Sequence, residues 1–382
     1  MKIVADMNIP FVRECFSSIG DVEVLGGRDI TPEVVADTDA LLVRSITPVN
    51  ARLLRGSRVR FVGTATIGFD HVDVEYLRRN NIGFASAPGS NANSAAEYVI
   101  AALLEIGQEH GIRLEGKSIG VIGVGNVGGK VATKCEALGM RVCRNDPPLQ
   151  RQTGDPQYLP IEDLFGCDLI TLHTPLTFEG VDKTFHLAGE RFFNLLRKGC
   201  VFLNASRGAV VDSGALTRAI ESGKLQAVVL DVWEDEPDID KELLQMVDLG
   251  TPHIAGYSLD GKIAGMIMIY KALCEHFGLT PKFDVSDFLP EPDVPELHVN
   301  PSGGDEQELL LDAVRKIYDI RRDDGELRHI LNEPAANRGR CFDKLRENYP
   351  VRREFQNTRI ILTGRRNSLA AKLQGIGFRV AG

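Results

Sequence analysis

The sequence predicts an α/β protein built from doubly wound parallel sheets, and two observations carry that expectation. Short runs rich in Val, Ile and Leu recur along the chain without polar alternation, which suits parallel strands covered on both faces. Helix-like stretches separate most of these runs, and this strand–helix rhythm is typical of the α/β class. The predicted strands lie at residues 2–5, 40–43, 60–63, 118–123, 141–144, 169–172, 201–204, 227–232 and 247–249.

Length and composition agree with a globular protein of several domains. The 382 residues suffice for roughly two to three domains, each with its own core. With 43% hydrophobic and 25% charged residues, a disordered chain or a fibre is excluded. The net charge of −9 argues against a general nucleic-acid or membrane-surface binder. The charge is uneven, because residues 341–382 carry nine basic and three acidic side chains, a net +6.

The cysteine pattern and the absence of long apolar runs predict a cytoplasmic protein. Seven cysteines are scattered along the chain without a C-x-x-C pair, which is typical of reduced thiols and predicts neither disulfides nor a zinc site. No H-E-x-x-H pattern or clustered acidic–histidine set occurs, so no metal is expected. No run reaches the length of a membrane span, and the N-terminus lacks the apolar stretch of a signal peptide.

Two long helix-like stretches frame the central part of the chain. Residues 94–110 form an amphipathic stretch in which Ser94 and Glu97 have the spacing of a capping box, so a helix is predicted to begin there. The second stretch, at residues 260–277, follows the last central strand. We expect it to return the chain to the first lobe.

The last quarter of the chain is set apart by proline. Five prolines fall within residues 281–301, so this stretch is predicted to be an extended linker. After it, residues 305–319 have a helical pattern and residues 359–362 form a possible strand. A small third unit is therefore expected.

A glycine-rich turn follows the predicted strand at residues 118–123. Gly123, Gly125 and Gly128 have the G-x-G-x-x-G spacing, and a helix-like stretch comes directly after them. In a dinucleotide site the first glycine allows a tight turn, the second lets the backbone approach the pyrophosphate, and the third permits close helix–strand packing. Asp146 ends the next strand, where a carboxylate binds the adenosine ribose and repels a 2′-phosphate. This combination predicts NAD rather than NADP.

Three chemically active side chains, Arg207, Glu236 and His253, follow later strands of the same predicted sheet. Ligands of open α/β sheets bind at these strand ends. An imidazole titrates near neutrality and can accept a hydroxyl proton while a hydride leaves the same carbon. A carboxylate beside the ring would orient it, and an arginine can hold a substrate carboxylate through two parallel hydrogen bonds. These residue types predict oxidation of a 2-hydroxy acid.

In the order and spacing of its motifs, the chain from about residue 40 to residue 262 resembles the D-isomer-specific 2-hydroxyacid dehydrogenase family. The resemblance rests on the glycine motif and on HTPLT (173–177), NASRGAVVD (204–212), LDVWEDEP (230–237) and TPHIAG (251–256). It implies that Arg207, Glu236 and His253 are catalytic, with His253 as the acid/base. The residues that it implies for NAD binding are Gly123, Gly125, Asn126, Val127, Gly128, Asp146, Thr174, Ala205, Ser206, Arg207, Asp231 and Gly256.

Further motifs resemble one branch of this family, whose members oxidise a phosphorylated four-carbon 2-hydroxy acid. These motifs are VRSIT (43–47), GTATIGFDHVD (63–73), PGSNANSAAEYV (88–99) and HIAGYSLDGK (253–262). The branch implies that Ser45, Thr66 and Tyr257 contact the substrate. Arg44, beside Ser45, is a candidate for the substrate phosphate and could equally be a surface charge.

The resemblance implies two Rossmann-like lobes, the first of them discontinuous, and a small C-terminal α+β dimerisation domain. Residues 1–93 would form a substrate-binding lobe that is completed by about residues 258–282. Residues 94–257 would form the NAD-binding Rossmann domain. Residues 283–382 would join two copies of the chain into a homodimer.

Two alternatives for the function and two for the basic C-terminal segment stay open. The enzyme could be a phosphoglycerate dehydrogenase or another D-2-hydroxyacid dehydrogenase, although residues 302–382 lack the βαββαβ pattern of the phosphoglycerate dehydrogenase regulatory domain. An NAD-responsive corepressor-like protein can also keep the same catalytic residues. In the basic segment, Arg346, Arg352 and Arg353 either reach the partner subunit's active site or lie on a solvated face.

Overall fold

The computed structural model describes residues 1–302, 304–364 and 366–381, so part of the basic segment, Arg365 and Gly382, lies outside the described residues. Strands lie at Lys2–Asp6 (β1), Asp21–Leu25 (β2), Ala40–Val43 (β3), Phe61–Thr64 (β4), Gly83–Ala85 (β5), Ser118–Ile122 (β6), Arg141–Asn145 (β7), Leu169–Leu172 (β8), Cys200–Asn204 (β9), Leu225–Leu230 (β10), Leu249–Gly250 (β11), Glu296–Val299 (β12), Arg359–Leu362 (β13) and Arg379–Ala381 (β14). Helices lie at Val12–Phe16 (α1), Pro32–Val35 (α2), Ala51–Leu54 (α3), Val74–Arg79 (α4), Ala92–Glu109 (α5), Asn126–Ala137 (α6), Pro147–Thr153 (α7), Glu190–Leu195 (α8), Ser213–Glu221 (α9), Lys241–Met246 (α10), Leu259–His276 (α11), Glu306–Ile317 (α12), Ile320–Arg328 (α13), Ala335–Glu347 (α14) and Asn367–Ile376 (α15). Single 3₁₀ turns lie at Ile161–Leu164, Gly208–Val210, Val285–Asp287, His329–Asn332 and Phe355–Asn357.

Parallel pairing in the sheets confirms the predicted α/β class. One sheet has the strand order β2-β1-β3-β4-β5, and a second has the order β11-β10-β9-β8-β6-β7. A third, small sheet has the order β12-β13-β14 and is also parallel. Strands β3, β8 and β9 are buried along their whole length, which explains why their sequences are nearly continuous runs of apolar residues.

The chain folds into two compact units. The first contains residues 1–91 and 257–291, and the second contains residues 92–256 and 292–382. The division into three domains that the sequence suggests stays a prediction. In the part of the chain that the structure describes, no helix combines the length and apolarity needed to cross a membrane.

Helix α11 completes the core of the first unit, although it follows the second unit's large sheet in sequence. Its residues Ile263, Ile267 and Tyr270 share one buried cluster with Ile3 of β1 and Phe61 of β4. The ring of Tyr270 packs edge-on against another aromatic ring of that cluster. Because α11 supplies much of the apolar surface that covers this sheet, the first unit requires both segments of the chain.

The C-terminal segment belongs to the second unit because its helices cover α5 and α6. Helix α5 is buried along most of its length, and α12 packs on it. Glu105 of α5 is 2% exposed and accepts hydrogen bonds from Nε and Nη2 of Arg315, each at 2.6 Å. Gly375 of α15 lies so close to α6 that a Cβ there would be 2.2 Å from the Cβ of Ala137.

The capping box predicted at Ser94 and Glu97 is wrong. Helix α5 begins at Ala92, so both residues lie inside it. The Ser94 hydroxyl donates to Oε1 of Glu354 at 2.7 Å, and the Phe355 N–H lies 3.1 Å from both carboxyl oxygens of Glu97. The spacing that resembles a helix start therefore serves to bind the C-terminal segment.

The proline-rich stretch is only partly the extended linker that its prolines predict. Phe283 and Phe288 pack against the core of the first unit, and a 3₁₀ turn lies between them. Residues 296–299 form β12 and pair with β13. Apolar side chains between the prolines are buried against the first unit, and part of the stretch pairs as a strand, so it is not an extended linker throughout.

Candidate active site

The turn after β6 places the glycine motif where the strand order of the second unit's large sheet reverses. The chain leaves β6 for β7 on one side and returns to β8 on the other, and ligands of such sheets bind at this switch point. Gly123 has a φ of +84°, and a Cβ there would lie 2.7 Å from the carbonyl oxygen of His173. The backbone of Gly123 thus requires glycine both for its conformation and for its close approach to the β8 loop.

Gly125 faces open space in front of α6. A Cβ at this position would have no atom within 4 Å, whereas a Cβ at Gly128 would lie 1.9 Å from the carbonyl oxygen of Gly123. Gly125 is the N-cap of α6, and no described side chain caps this helix. The first N–H groups of α6 are therefore available to an anion, and the open space fits the pyrophosphate of a dinucleotide.

Asp146 and Thr174 flank the glycine turn. Asp146 Oδ2 accepts a hydrogen bond from the Val124 N–H at 2.8 Å, and Oδ1 accepts one from the Leu149 N–H at 3.0 Å. Each carboxylate oxygen keeps a second lone pair that a ribose hydroxyl can use. The Thr174 hydroxyl oxygen is buried and has no hydrogen-bond partner among the described residues. A bound ligand would supply that partner. These observations fit NAD.

The other residues predicted for NAD lie in the same set of turns. Asn126 and Val127 begin α6, directly after Gly125. Ala205 follows the last residue of β9, and Gly256 lies in the loop between β11 and α11.

We expect G128A to damage the fold and G125A to damage only cofactor binding. The added methyl at residue 128 overlaps the backbone of Gly123, so the free energy of unfolding should fall by about 1–3 kcal/mol or more. The methyl at residue 125 meets no protein atom but occupies the space assigned to the pyrophosphate, so NAD affinity should fall by about tenfold or more. Thermal unfolding and NAD titration separate the two effects. Equal losses of stability in both variants would contradict this assignment.

Replacing Asp146 with asparagine should reduce the preference for NAD over NADP by about tenfold or more. The substitution keeps an acceptor oxygen for the turn but removes the charge that repels a 2′-phosphate. The matched control is D240N, because Asp240 caps α10 through the Leu243 N–H at 3.0 Å in the same way. Affinities for both cofactors are measured by fluorescence titration. If D146N lowers the affinities for NAD and NADP equally, Asp146 only stabilises the glycine turn through its hydrogen bonds and does not select the cofactor.

The loop after β11 carries His253 and holds it against Glu236. His253 Nδ1 lies 2.8 Å from Oε2 of Glu236, and Oε1 accepts the Trp233 N–H at 2.8 Å. Burial alone would raise the pKa of Glu236, but the charge and hydrogen bond of His253, the Trp233 N–H and the charge of Arg346 hold this pKa below its ordinary value. An ionised carboxylate can only accept, so Nδ1 carries the proton and Nε2 is left to exchange one.

Asp231, directly after β10, is buried at 1% exposure beneath the same loop. Its Oδ1 accepts hydrogen bonds from the Thr251 hydroxyl at 2.7 Å and the Ile254 N–H at 2.8 Å, and its Oδ2 accepts the Ala255 N–H at 3.0 Å. Burial raises the pKa of Asp231 despite these bonds. His253 has a left-handed φ of +57°, and its N–H donates to the Asp231 carbonyl at 2.7 Å. Asp231 thus fixes the backbone at His253 and at the two residues after it, and it also holds the Thr251 side chain before it. The contact of Asp231 with NAD stays a prediction.

Arg207 lies after β9, on a loop that packs against the loop after β10. The Asn204 Oδ1 accepts both the N–H and the hydroxyl of Ser206, at 3.0 and 2.7 Å, and Asn204 Nδ2 donates to the Arg207 carbonyl at 3.1 Å. A Cβ at Gly208 would lie 1.8 Å from the carbonyl oxygen of Trp233. The guanidinium donates to the Ser206 carbonyl at 2.7 Å and pairs with no carboxylate among the described residues. It is therefore available to a substrate anion.

The residues predicted for the substrate all lie in the first unit. Here the strand order reverses at β1, and Arg44 and Ser45 follow the neighbouring strand β3. The guanidinium carbon of Arg44 lies 5.9 Å from the ring centre of Tyr257, and Lys262 Nζ lies 4.7 Å from the same ring. Thr66, after β4, shares a hydrogen bond of 2.7 Å with the hydroxyl at the end of that strand. The first unit thus places two cations and several hydroxyl groups among its predicted substrate residues.

Two other histidines near strand ends lack the chemistry of His253. Burial lowers the pKa of His173 to about 3, and it lowers the pKa of His71 as well. Their rings bond to threonine hydroxyls, at 2.9 Å for Thr171 and 3.1 Å for Thr64. Neither ring is hydrogen-bonded to a carboxylate in the described chain, and the nearby charge of Asp70 does not outweigh the effect of burial on the pKa of His71.

The sequence analysis did not identify the residues outside the loop that hydrogen-bond to the His253 loop and hold it in place. The Thr251 hydroxyl bonds to the Tyr98 hydroxyl at 2.8 Å, and the Thr251 carbonyl accepts the indole N–H of Trp233 at 2.9 Å. Nη2 of Arg352 donates to the Ala255 carbonyl at 2.5 Å. A tyrosine inside an apolar helix is a weak signal for such a contact, and no motif marks Arg352.

Neither interpretation of the basic C-terminal segment holds for Arg352 and Arg353. Both side chains belong to buried residues, at 4% and 8% exposure, within the second unit of their own chain. They are therefore neither presented to a partner subunit nor placed on a solvated face.

Comparison with known proteins gives a consistent set of relatives. Residues 94–255 match the model of the D-isomer specific 2-hydroxyacid dehydrogenase NAD-binding domain, and residues 288–377 match a domain family of unknown function. The chain is 44% identical over 379 residues to the erythronate-4-phosphate dehydrogenase of Proteus mirabilis, covering 99% of each chain. It is also 44% identical over 383 residues to the enzyme of the same name from Marinobacter nauticus, covering 100% of each.

Solved structures share the fold over about three quarters of the chain. The NAD-bound 3-phosphoglycerate dehydrogenase of Entamoeba histolytica has a TM-score of 0.61 and 27% identity, covering 76% of this chain and 99% of its own. The TT0316 protein of Thermus thermophilus has a TM-score of 0.64 and 25% identity, covering 74% and 98%.

Proposed function

The chain belongs to the D-isomer-specific 2-hydroxyacid dehydrogenase family, and on that premise we propose that it is an erythronate-4-phosphate dehydrogenase. The reaction would oxidise 4-phospho-D-erythronate to 2-oxo-3-hydroxy-4-phosphobutanoate, with NAD as the oxidant, in the biosynthesis of pyridoxal 5′-phosphate. The identity of 44% to enzymes of that name, over nearly their whole length, supports this substrate. These relatives cover 99% and 100% of this chain, C-terminal segment included, whereas the solved 3-phosphoglycerate dehydrogenase covers 76% of it.

The contact between His253 and Glu236 carries the proposed chemistry. Oxidation requires the substrate hydroxyl to lose its proton as the bond from C2 to hydrogen breaks. His253 Nε2 takes the proton, and the ring becomes an imidazolium that Glu236 stabilises at 2.8 Å. In the reverse direction the same nitrogen returns the proton to the oxygen. NAD, when bound, supplies the acceptor for the hydride.

Arg207 is assigned to the substrate carboxylate. Its guanidinium has no acidic partner in the described chain, and the Asn204 side chain holds the backbone of its loop. A bidentate contact would orient the 2-hydroxy acid, and a hydrogen bond to the C2 oxygen would favour the developing carbonyl.

Arg44 and Tyr257 are assigned to the rest of the substrate, together with Ser45 and Thr66. A phosphate needs cations or N–H groups beyond those that hold the carboxylate. The contacts of Arg44 and Lys262 with the Tyr257 ring support a phosphate site on the first unit.

We also infer that the enzyme acts in the cytoplasm as a homodimer joined through residues 283–382. The seven cysteines are free thiols, which suits a reducing compartment. Sedimentation velocity of the full chain tests the dimer, and the mass of a single chain at the assay concentration would contradict it.

The deciding experiment is an assay of NADH formation with purified full-length protein. Three substrates are compared at matched concentrations: 4-phospho-D-erythronate, D-erythronate and 3-phosphoglycerate. We expect the highest kcat/KM with 4-phospho-D-erythronate, because it alone has both the chain length and the phosphate. A higher kcat/KM with 3-phosphoglycerate would move the assignment to phosphoglycerate dehydrogenase. Binding of NAD without turnover of any 2-hydroxy acid would instead favour a binding role.

A further inference from the structure

Arg352 reaches the His253 loop from the C-terminal segment of the same chain. Its Nη2 donates to the Ala255 carbonyl at 2.5 Å and to the Ser94 carbonyl at 3.3 Å. Its guanidinium carbon lies 4.3 Å from the centre of the Tyr318 ring. Arg352 is thus held between the loop, helix α5 and an aromatic ring, which leaves it little freedom to move.

The Ala255 backbone is fixed from two sides. Asp231 accepts its N–H at 3.0 Å, and Arg352 donates to its carbonyl at 2.5 Å. Ala255 is two residues after His253, whose left-handed φ leaves the loop few other ways to bring Nδ1 to Glu236. A shift of this short loop would therefore move the imidazole.

We propose that Arg352 is a positioning residue for His253, so that the C-terminal segment completes the catalytic loop of its own chain. This inference rests on the proposed function, in which His253 is the acid/base. A second contribution comes from the same segment, because Arg346 is among the groups that keep the pKa of Glu236 low. The segment thus acts on both members of the pair, and dimer formation is not needed for this role.

The first pair of variants changes Arg352 itself. R352M removes the donor to Ala255 together with Nη1, which is buried without a hydrogen-bond partner among the described residues. R352K keeps the charge and one donor group. The matched control is R353M, since Arg353 is comparably buried but donates to Asn357 at 2.9 Å.

The second pair changes the ring on which the guanidinium rests. Y318F removes only a buried hydroxyl that has no hydrogen-bond partner among the described residues. Y318L removes the ring, so the guanidinium loses its support while Arg352 remains. If R352M fails to fold, Y318F and Y318L still test whether Arg352 positions His253.

Two measurements are made on each variant, together with its oligomeric state and melting temperature. The first is the ¹⁵N NMR signal of His253 Nδ1, assigned by its absence in H253Q. The second is kcat with 4-phospho-D-erythronate. We expect R352M and Y318L to shift the signal and to lower kcat by about tenfold to a hundredfold, with KM for NAD within about twofold. R352K should retain more kcat than R352M, and R353M and Y318F should keep both the signal and kcat.

An unchanged His253 signal and kcat in folded R352M or Y318L would overturn the inference, as would an equal loss in R353M. If wild-type protein does not turn over the substrate, the proposed function fails. The NMR comparison still decides whether Arg352 positions His253.

Discussion

Replacing His253 with alanine is expected to lower kcat by about 10²- to 10⁴-fold, which is the usual contribution of a positioned acid/base group. Nε2 is the atom that accepts the hydroxyl proton, and His173 and His71, which also lie near strand ends, are poorly suited to replace it because burial lowers their pKa values. NAD affinity should change little, since the glycine turn lies on another loop. Initial rates and NAD titration measure the two quantities.

The matched control for this substitution is H110Q. His110 also pairs with a carboxylate, Asp248, at 2.8 Å, and the side-chain exposures of 23% and 22% are close to the 31% and 19% of His253 and Glu236. H110Q should keep kcat within about twofold, because His110 and Asp248 precede β6 and β11, whereas ligands of such sheets bind where the strands end. Turnover of H253A within tenfold of wild type would remove His253 from the acid/base role.

Much of the fold could be predicted because the pattern that specifies each strand lies within a short stretch of the sequence. Parallel strands covered on both faces need apolar runs, and strands such as β3 and β9 show them directly in the sequence. The residues proposed for catalysis could be located for a related reason. Arg207 and His253 follow strands of one sheet, and parallel strands bring such ends to the same edge.

The missed features depend on contacts between distant parts of the chain. Ser94 and Glu97 have the spacing of a helix start, but they bind Glu354 and Phe355, some 260 residues later. Nothing in the local sequence distinguishes these two uses. In the sequence, Arg352 is only one of several charges in a basic segment, because its partner is a backbone carbonyl that no side chain marks.

The packing of α5 also depends on contacts with a distant part of the chain. Its apolar residues predict a helix packed on one side, but α12 covers a second side and Arg315 pairs with the buried Glu105. An arginine that neutralises a buried carboxylate looks like any surface arginine in a sequence. The docking of the C-terminal segment could therefore not be predicted, although its first helix, α12, and its strand β13 could.

Substitution of Arg207 by glutamine is expected to lower kcat/KM by about 10²- to 10³-fold, or roughly 3–4 kcal/mol, typical of removing one partner of a hydrogen-bonded charge pair. The guanidinium has no acidic partner in the described chain, so its loss leaves no protein charge unpaired. The penalty falls on the substrate, whose carboxylate would lose a bidentate partner. R207K should recover only part of the rate, because an ammonium group cannot make two parallel hydrogen bonds.

The lower kcat/KM of R207Q must come from weaker binding of the substrate carboxylate, and not from a destabilised loop. Asn204 donates to the Arg207 carbonyl, a backbone contact that glutamine keeps, so the melting temperature should stay close to that of wild type. Inhibition by oxalate, which offers only carboxylates, should weaken in parallel with kcat/KM. The control R218Q removes an exposed arginine whose contact with Glu190 is long, at 3.7 Å, and should change neither quantity. If R207Q binds oxalate as tightly as wild type, another group holds the carboxylate, and Arg207 would be left with a role in the NAD site alone.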